Sequence, residues 1–269
     1  YLSAPPSRSG SAIVVSNATI PSRPGTKSGI SHLLFEELHY LYLCLKHSTW
    51  WNRDMSDSTQ WFESLRVSYE QGELNEADIT HNPFEQFNNW LQEAIKNEVP
   101  EPNAMVLATV NKDGQPGARN VLLKSADDNG FIFFTNKNSD KASDLKQNPH
   151  CTLLFSWLSQ HRQVIVKGKA EEISREESNT YFQTRPYGSR ISAWVSEQSQ
   201  VIKSREELET KVKEFMDKYP ENVPMPDYWG GYLVKPESIE FWQGRPSRLH
   251  DRIRFTKKGN TWAIERISP

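Results

Sequence analysis

Cysteine is scarce in this 269-residue chain: only Cys44 and Cys151 are present. Two thiols outside any CxxC pair exclude a disulfide-stapled scaffold and a cysteine zinc site, and they favour a reducing compartment. The seven histidines are scattered without HExxH or paired ligand spacing, so no metal site is expected. Neither a GxxxxGK[ST] loop nor a strand-linked GxGxxG occurs, so any phosphate must be held by side chains. A dominant charge is also lacking. Thirty-two Lys and Arg against 34 Asp and Glu leave a net charge of −2, which points away from nucleic acid and anionic membrane. Long apolar runs are missing too: Leu33–Leu45 is broken by Glu36, Glu37 and His39, too short and too charged to span a bilayer.

Acids are absent before Glu36, whereas Arg8, Arg23 and Lys27 sit among Ser, Pro and Gly. Such a stretch cannot bury a core, and we expect residues 1–62 to form a disordered or weakly structured extension ahead of a folded domain at 63–269. A plain tail in a cytoplasmic protein and a mitochondrial or plastid targeting segment both suit that composition. Sixteen prolines and a mean hydropathy of −0.71 indicate many loops around a core built from the 36% apolar residues. Nine tryptophans are a high count, to be divided between that core and stacking on a planar ligand. Cys151, opening an apolar run, reads as a buried small hydrophobe.

Asn82-Pro83 precedes Phe84, Phe87, Trp90, Leu91 and Ile95, whose three- and four-residue spacing predicts a helix. Strand signals follow at Ala104–Val110, Arg119–Leu123, Phe131–Phe134, Cys151–Trp157 and Gln163–Ala170, with a short helix at Ser139–Gln147. Ser174 and Ser204, each three residues before a Glu, predict two capping-box helices. Further strands are expected at Gly231–Val234, Ser238–Trp242, Leu249–Phe255 and Trp262–Ile267. Short strands with inserted helices predict an antiparallel barrel of the α+β class, mainly β.

Three clusters have the chemistry to hold an anion. Were residues 248–252 extended, Arg248, His250 and Arg252 would share one face, as an anion site or as a solvated edge balanced by Asp251. Tyr181 and Arg185 lie one helical turn apart before Pro186, with Ser189 expected in a loop beyond. A phosphate site and simple Tyr–Arg stacking both fit that spacing. Arg119 and Lys124 bracket an apolar strand, as anion ligands or as its exits into water.

In order, the stretches SLRVSYEQGEL, NAMVLATVNKDGQPGARNVLLK, GFIFFTN, RQVIVKGKAEEIS, YFQTRPYGSRISAWVSEQS and WGGYLVKPESIEFWQGRPSRLHDR resemble the pyridoxine 5′-phosphate oxidase family over residues 64–269. EFWQG followed by RLHDR is the most specific part. The resemblance implies an FMN-binding split barrel with inserted and flanking helices, working as a homodimer whose active sites use both chains. It implies oxidation of pyridoxamine 5′-phosphate and pyridoxine 5′-phosphate to pyridoxal 5′-phosphate, with dioxygen as acceptor and hydrogen peroxide as by-product. Carried over by position, it assigns FMN contacts to Arg119, Asn120, Val121, Leu122, Phe134, Thr135, Lys141, Gln163, Gln198, Ser199, Trp242 and Arg252. Lys124, Tyr181, Arg185 and Ser189 would hold the substrate phosphate, Arg248 and His250 would face the reacting ring, and Arg66 and Tyr69 would close over it.

The chain departs from the family pattern at Asp140, where a basic residue is usual, and at Asn120, Arg190 and Ser192. A carboxylate near the FMN phosphate would repel it; turned to solvent, Asp140 would instead favour the start of its helix. These departures motivate an alternative, a non-catalytic or weakly active FMN- or pyridoxal-phosphate-binding protein. A split-barrel flavin reductase acting on another substrate is a third.

Overall fold

The computed structural model describes Leu65, residues 68–70 and residues 72–269. The chain divides into two units, residues 1–66 and 67–269, and the helices and strands among the described residues belong to the second. The expected N-terminal extension, Cys44 and Arg66, expected to close over the substrate ring, lie outside the described residues.

Helix α1 (Pro83–Lys96) begins where the Asn82 side chain accepts from the Phe84 and Glu85 N–H groups, and Pro83 occupies the first turn, where no donor is needed. Strands β1 (Ala104–Val110), β2 (Pro116–Leu122), β3 (Ser125–Asp127) and β4 (Gly130–Asn136) precede helix α2 (Asp140–Gln147). Strands β5 (His150–Trp157) and β6 (Arg162–Glu172) lead into helices α3 (Arg175–Thr184), α4 (Tyr187–Val195) and α5 (Arg205–Lys218). Strands β7 (Trp229–Gln243), β8 (Asp251–Lys258) and β9 (Thr261–Arg266) complete the unit. All nine strands form one antiparallel sheet in the order β2-β1-β5-β6-β7-β4-β3, with β8 on β7 and β9 on β8. The sheet curls into a half-barrel, as the split-barrel expectation requires.

The concave side closes over aromatic side chains. Phe87 of α1 packs 4.8 Å from Phe155 and 5.1 Å from Phe131, and Trp90 meets Phe241 edge-on at 5.2 Å, all between ring centroids. Phe87, Phe131, Phe155 and Phe241 are fully buried, so truncating Phe87 to Ala should cost about 3–5 kcal/mol. Trp90, Trp157 and Trp229 are core residues. Cys151 is buried as expected, and desolvation pushes its thiol up to about 12.

Four expectations about elements need correction. Pro186 ends α3 and also starts α4, because its fixed φ suits a helix entry, so Ser189 lies on a helix rather than in a loop. The two strands foreseen at 231–234 and 238–242 are one, β7; Pro236, which lacks a ladder donor, falls opposite a bulge at Lys167/Gly168. At Ser204 the box does not form. Its hydroxyl caps nothing, and the Glu207 carboxylate instead accepts from the Lys203 N–H at 3.2 Å. Finally, Arg248, His250 and Arg252 do not share one extended face. Arg248 ends a 3-10 turn (Pro246–Arg248) with φ of 62°, and β8 starts only at Asp251.

Candidate functional site

The residues singled out in the sequence gather in two places. The first is a cavity of about 630 Å³ between the exposed face of β2, the end of β4 and helices α2, α3 and α4. Asn120, Val121, Leu122, Lys124, Phe134, Thr135, Lys141, Tyr181, Arg185, Ser189 and Gln198 all line it. Alternation along β2 explains Asn120 and Leu122, which are exposed on one face of an edge strand, while Val121 between them is half-buried against the core.

One end of the cavity is organised around Lys141 at the start of α2. Its ammonium donates to Gln198 Oε1 at 2.6 Å and Ser139 Oγ at 3.1 Å, and Thr135 Oγ1 donates to the same Gln198 oxygen at 3.2 Å. Ser199 Oγ accepts from the Asp140 N–H at 3.2 Å, so the 198–199 turn is pinned to the helix start. Burial, and then the Arg119 charge, hold Lys141 down at about 8, with Asp140 opposing. Arg119 itself does not line the cavity. Its guanidinium donates to Leu107 O and Thr109 Oγ1 and approaches Asp144 at 3.9 Å.

Arg185, Tyr181, Lys124 and Ser189 contribute the remaining polar groups. The Arg185 guanidinium lies 4.8 Å from the Trp229 ring and 5.4 Å from that of Phe182. Its Nη1 is buried without a hydrogen-bond partner among the described residues, and burial lowers its pKa. Tyr181 stacks on Phe134 at 4.1 Å, with the Lys124 ammonium 5.9 Å from the Tyr181 ring. The stacking reading of the Tyr181 and Arg185 spacing and the phosphate reading are therefore compatible: rings hold the two side chains, and both residues line the cavity. Desolvated cations with an unsatisfied donor are a costly arrangement that an anion relieves. The donor set fits a phosphate ester with a planar body.

At the departures, Arg190 turns away to donate to Gln183 Oε1 at 2.9 Å, while Ser192 lines the cavity with its hydroxyl bonded to Gly188 O at 2.8 Å. Asp140 is exposed and is not among the lining residues.

The second place is a row across the sheet. Gln163, Trp242 and Arg252 are direct partners on β6, β7 and β8, so their side chains emerge side by side on one face. The His250 ring packs 4.6 Å from Trp242 and 5.7 Å from Tyr69. Tyr69 lies 4.3 Å from His161, a residue that local sequence did not single out. Arg252 is paired with Glu240 at 2.7 Å, which raises its pKa. Burial and the nearby Arg248 charge lower the pKa of His250, against Asp251. Gln163, Trp242, Arg248, His250 and Arg252 do not line the first cavity. Cavity residues with no mark in the sequence include Asn136, Thr184, Ser196 and Trp229. Among the described residues no cluster of His, Cys, Asp or Glu forms a metal site, and no helix is long and apolar enough to cross a membrane.

Residues 91–219 match the family model described as pyridoxamine 5′-phosphate oxidase, and residues 229–269 match that of the pyridoxine 5′-phosphate oxidase C-terminal dimerisation region. The pyridoxine/pyridoxamine 5′-phosphate oxidase of Burkholderia lata is 52% identical over 208 residues, which are 76% of this chain and 97% of that protein. The Bordetella pertussis protein of the same name is 54% identical over 206 residues, 76% of this chain and 98% of that one. Among solved structures, PhzG from Burkholderia lata in complex with tetrahydrophenazine-1-carboxylic acid superposes with a TM-score of 0.71 at 28% identity, over 76% of this chain and 100% of that one. A pyridoxamine 5′-phosphate oxidase-related, FMN binding protein from Nostoc punctiforme shares the fold, with a TM-score of 0.58 at 17% identity over 71% of this chain and 100% of that one. On this sequence identity and its two family regions, the chain belongs to the pyridoxine/pyridoxamine 5′-phosphate oxidase family.

Proposed function

We propose that this protein is a pyridoxal 5′-phosphate synthase, oxidising pyridoxamine 5′-phosphate and pyridoxine 5′-phosphate with FMN as cofactor and dioxygen as acceptor. The observation that carries the reading is the cavity in which Lys124, Tyr181, Arg185 and Ser189 meet Lys141, Thr135 and Gln198, with a buried guanidinium nitrogen left unpartnered. Its cations match two phosphate esters, one on the cofactor and one on the substrate. Lys141 and the 198–199 turn are the groups for the cofactor phosphate. Arg185, with Lys124, Tyr181 and Ser189, anchors the substrate phosphate, and that remote binding energy orients the reacting carbon. When bound, FMN supplies the two-electron acceptor that no side chain of the chain provides.

The active unit in this reading is a homodimer. A cavity from one protomer is completed by the His250–Trp242–Arg252 row of the other, which accounts for the absence of that row from the cavity lining of one chain. His250 and Arg248 then face the substrate ring, and Tyr69 covers it. Purified protein supplied with FMN and pyridoxamine 5′-phosphate under air should produce pyridoxal 5′-phosphate and hydrogen peroxide in equal amounts. FMN-loaded protein that forms neither overturns the reading.

The superposition on PhzG favours a second reading, oxidation of a non-phosphorylated cyclic carboxylic acid. Arg185 and Lys124 suit a carboxylate as well as a phosphate. Side-by-side turnover of the two substrate classes separates them, and the first reading expects activity on the phosphate ester.

A further inference from the structure

We propose that Asp251 and Arg245 are positioning residues that hold His250 in one tautomer and dock the Tyr69 segment against it. This rests on the reading of His250 and Tyr69 as substrate-facing groups. Neither Asp251 nor Arg245 lines the cavity or belongs to the ring row, yet together they join the two segments that carry the row's least anchored members.

Asp251 is a hub with both oxygens engaged. Its Oδ2 accepts the Leu74 N–H at 3.2 Å and faces Arg245 Nη1 at 3.4 Å, while Oδ1 pairs with Arg266 Nη1 at 2.7 Å. Three separate stretches of chain therefore converge on one half-buried carboxylate: residues 72–76, the loop after β7, and β9. Around it the docking is reinforced. Arg245 pairs with Glu73 at 3.1 Å and donates to Gly72 O at 3.4 Å. Arg266 takes Glu76 in a two-pronged bond at 2.6 and 2.8 Å and donates to Leu74 O at 2.8 Å. Exposed pairs contribute little singly, but a network sharing one partly buried acid fixes geometry.

The same Arg245 reaches His250 through its main chain. Its backbone N–H donates to His250 Nδ1 at 3.1 Å. A nitrogen that accepts cannot carry the proton, so neutral His250 presents Nε2–H outward as a donor. Direction and protonation of the ring thus depend on where Arg245 is held, and Asp251 and Glu73 hold it. Upstream of the clamp, Gly72 has φ of 78°, and a Cβ there would lie 2.9 Å from the Gln243 side chain. Only glycine turns the chain there so closely, and three residues earlier Tyr69 lies over His161 and His250.

The test uses the full-length FMN-loaded protein with Asp251→Asn, which keeps the shape and removes the charge, and with Glu73→Gln. Two readouts are needed. Hydrogen exchange at the Leu74 and Arg245 amides reports the clamp without reference to turnover. Steady-state kinetics on pyridoxine 5′-phosphate, in the wild-type and Tyr69→Ala backgrounds, report its consequence. Expected are faster exchange at both amides, unchanged FMN affinity, and a fall in kcat/KM of about tenfold or more. In the Tyr69→Ala background the Asp251→Asn loss should shrink to whatever the His250 tautomer alone contributes, a departure from additivity. Full additivity, or kcat/KM within twofold of wild type despite faster exchange, overturns the proposal, as does unchanged exchange at both amides. A wild-type protein inactive on this substrate would instead refute the functional reading, and the exchange measurement would still judge the clamp.

Discussion

The cavity and the ring row, the two regions to which the proposed function assigns one flat charged ligand, have opposite distributions of charge. In the cavity the cations are left unbalanced: Lys141 is held down at about 8, and a buried Arg185 nitrogen has no hydrogen-bond partner among the described residues. At the row Arg252 is paired with Glu240, and beside it Arg245 and Arg266 are paired with Asp251. An unbalanced cation is destabilising until an anion arrives, so it binds; a balanced one fixes geometry. In the proposed reading the cavity therefore binds the anions, and the row orients the ring.

Breaking the anion side should have the largest effect. Arg185→Ala removes a charge-assisted contact of about 1.5–3 kcal/mol, so KM for pyridoxine 5′-phosphate should rise roughly 10- to 150-fold. Truncation should leave the fold intact, because Trp229 and Phe182 keep their own packing. A KM within threefold of wild type, measured by initial rates, would mean that the phosphate binds elsewhere.

Next in size is a test of whether one site draws on both regions from different protomers. Arg185→Ala damages the cavity and His250→Ala damages the row, so at substrate well below the raised KM each variant alone should retain only a small fraction of wild-type activity. Refolded together, half of the dimers are mixed, and each mixed dimer regains one intact site of two. Activity should recover to about a quarter of wild type. No recovery in a mixture shown to exchange subunits would place both halves of the site on one chain.

The pH dependence of Lys141 gives a smaller effect with a definite sign. Its pKa is lowered in the folded apoprotein, so between about 8 and its ordinary value the unfolded chain binds more protons than the folded one. Stability of the apoprotein should therefore rise with pH across that window. Cofactor affinity should move the other way, falling roughly tenfold between pH 7 and 9.5 as the ammonium is lost. Lys141→Ala should flatten both trends, as read by thermal melting and FMN titration.

How much of this was legible in the sequence differs between fold and site. The strands β1, β4, β5 and β6 were readable because each is a short apolar or alternating run set off by turn residues, and α1 because Asn82-Pro83 marks its start. Proline misled at Pro186, because it signals a break in one hydrogen-bond ladder and says nothing of what begins next. Site residues were assigned through the family resemblance, since the spacing of Tyr181 and Arg185 was equally consistent with plain stacking. What no local pattern carried was the partnering over distance: Trp229 beneath Arg185, His161 beneath Tyr69, and the Asp251 hub joining residues 177 positions apart. Those contacts exist only after the sheet has curled.

The smallest expected effect belongs to Asp140, and it probes where the cavity's charge imbalance ends. The residue is exposed at the first position of α2, is not among the cavity's lining residues, and its charge supports that of Lys141. An acid at a helix start is favourable by about 0.3–1 kcal/mol, so Asp140→Arg should destabilise the apoprotein by that amount. Across solvent at about 6 Å the reversal is two unit charges, about 1.4 kcal/mol, which screening at physiological salt roughly halves, so FMN should tighten only about threefold. High salt should erase that gain, because exposed charges are screened beyond a few ångströms. Lys141→Ala should weaken FMN equally in both backgrounds. Tightening of tenfold or more that persists in high salt would show that the carboxylate faces the bound phosphate after all. The cavity would then be less purely cationic than its lining suggests, and its contrast with the ring row would narrow.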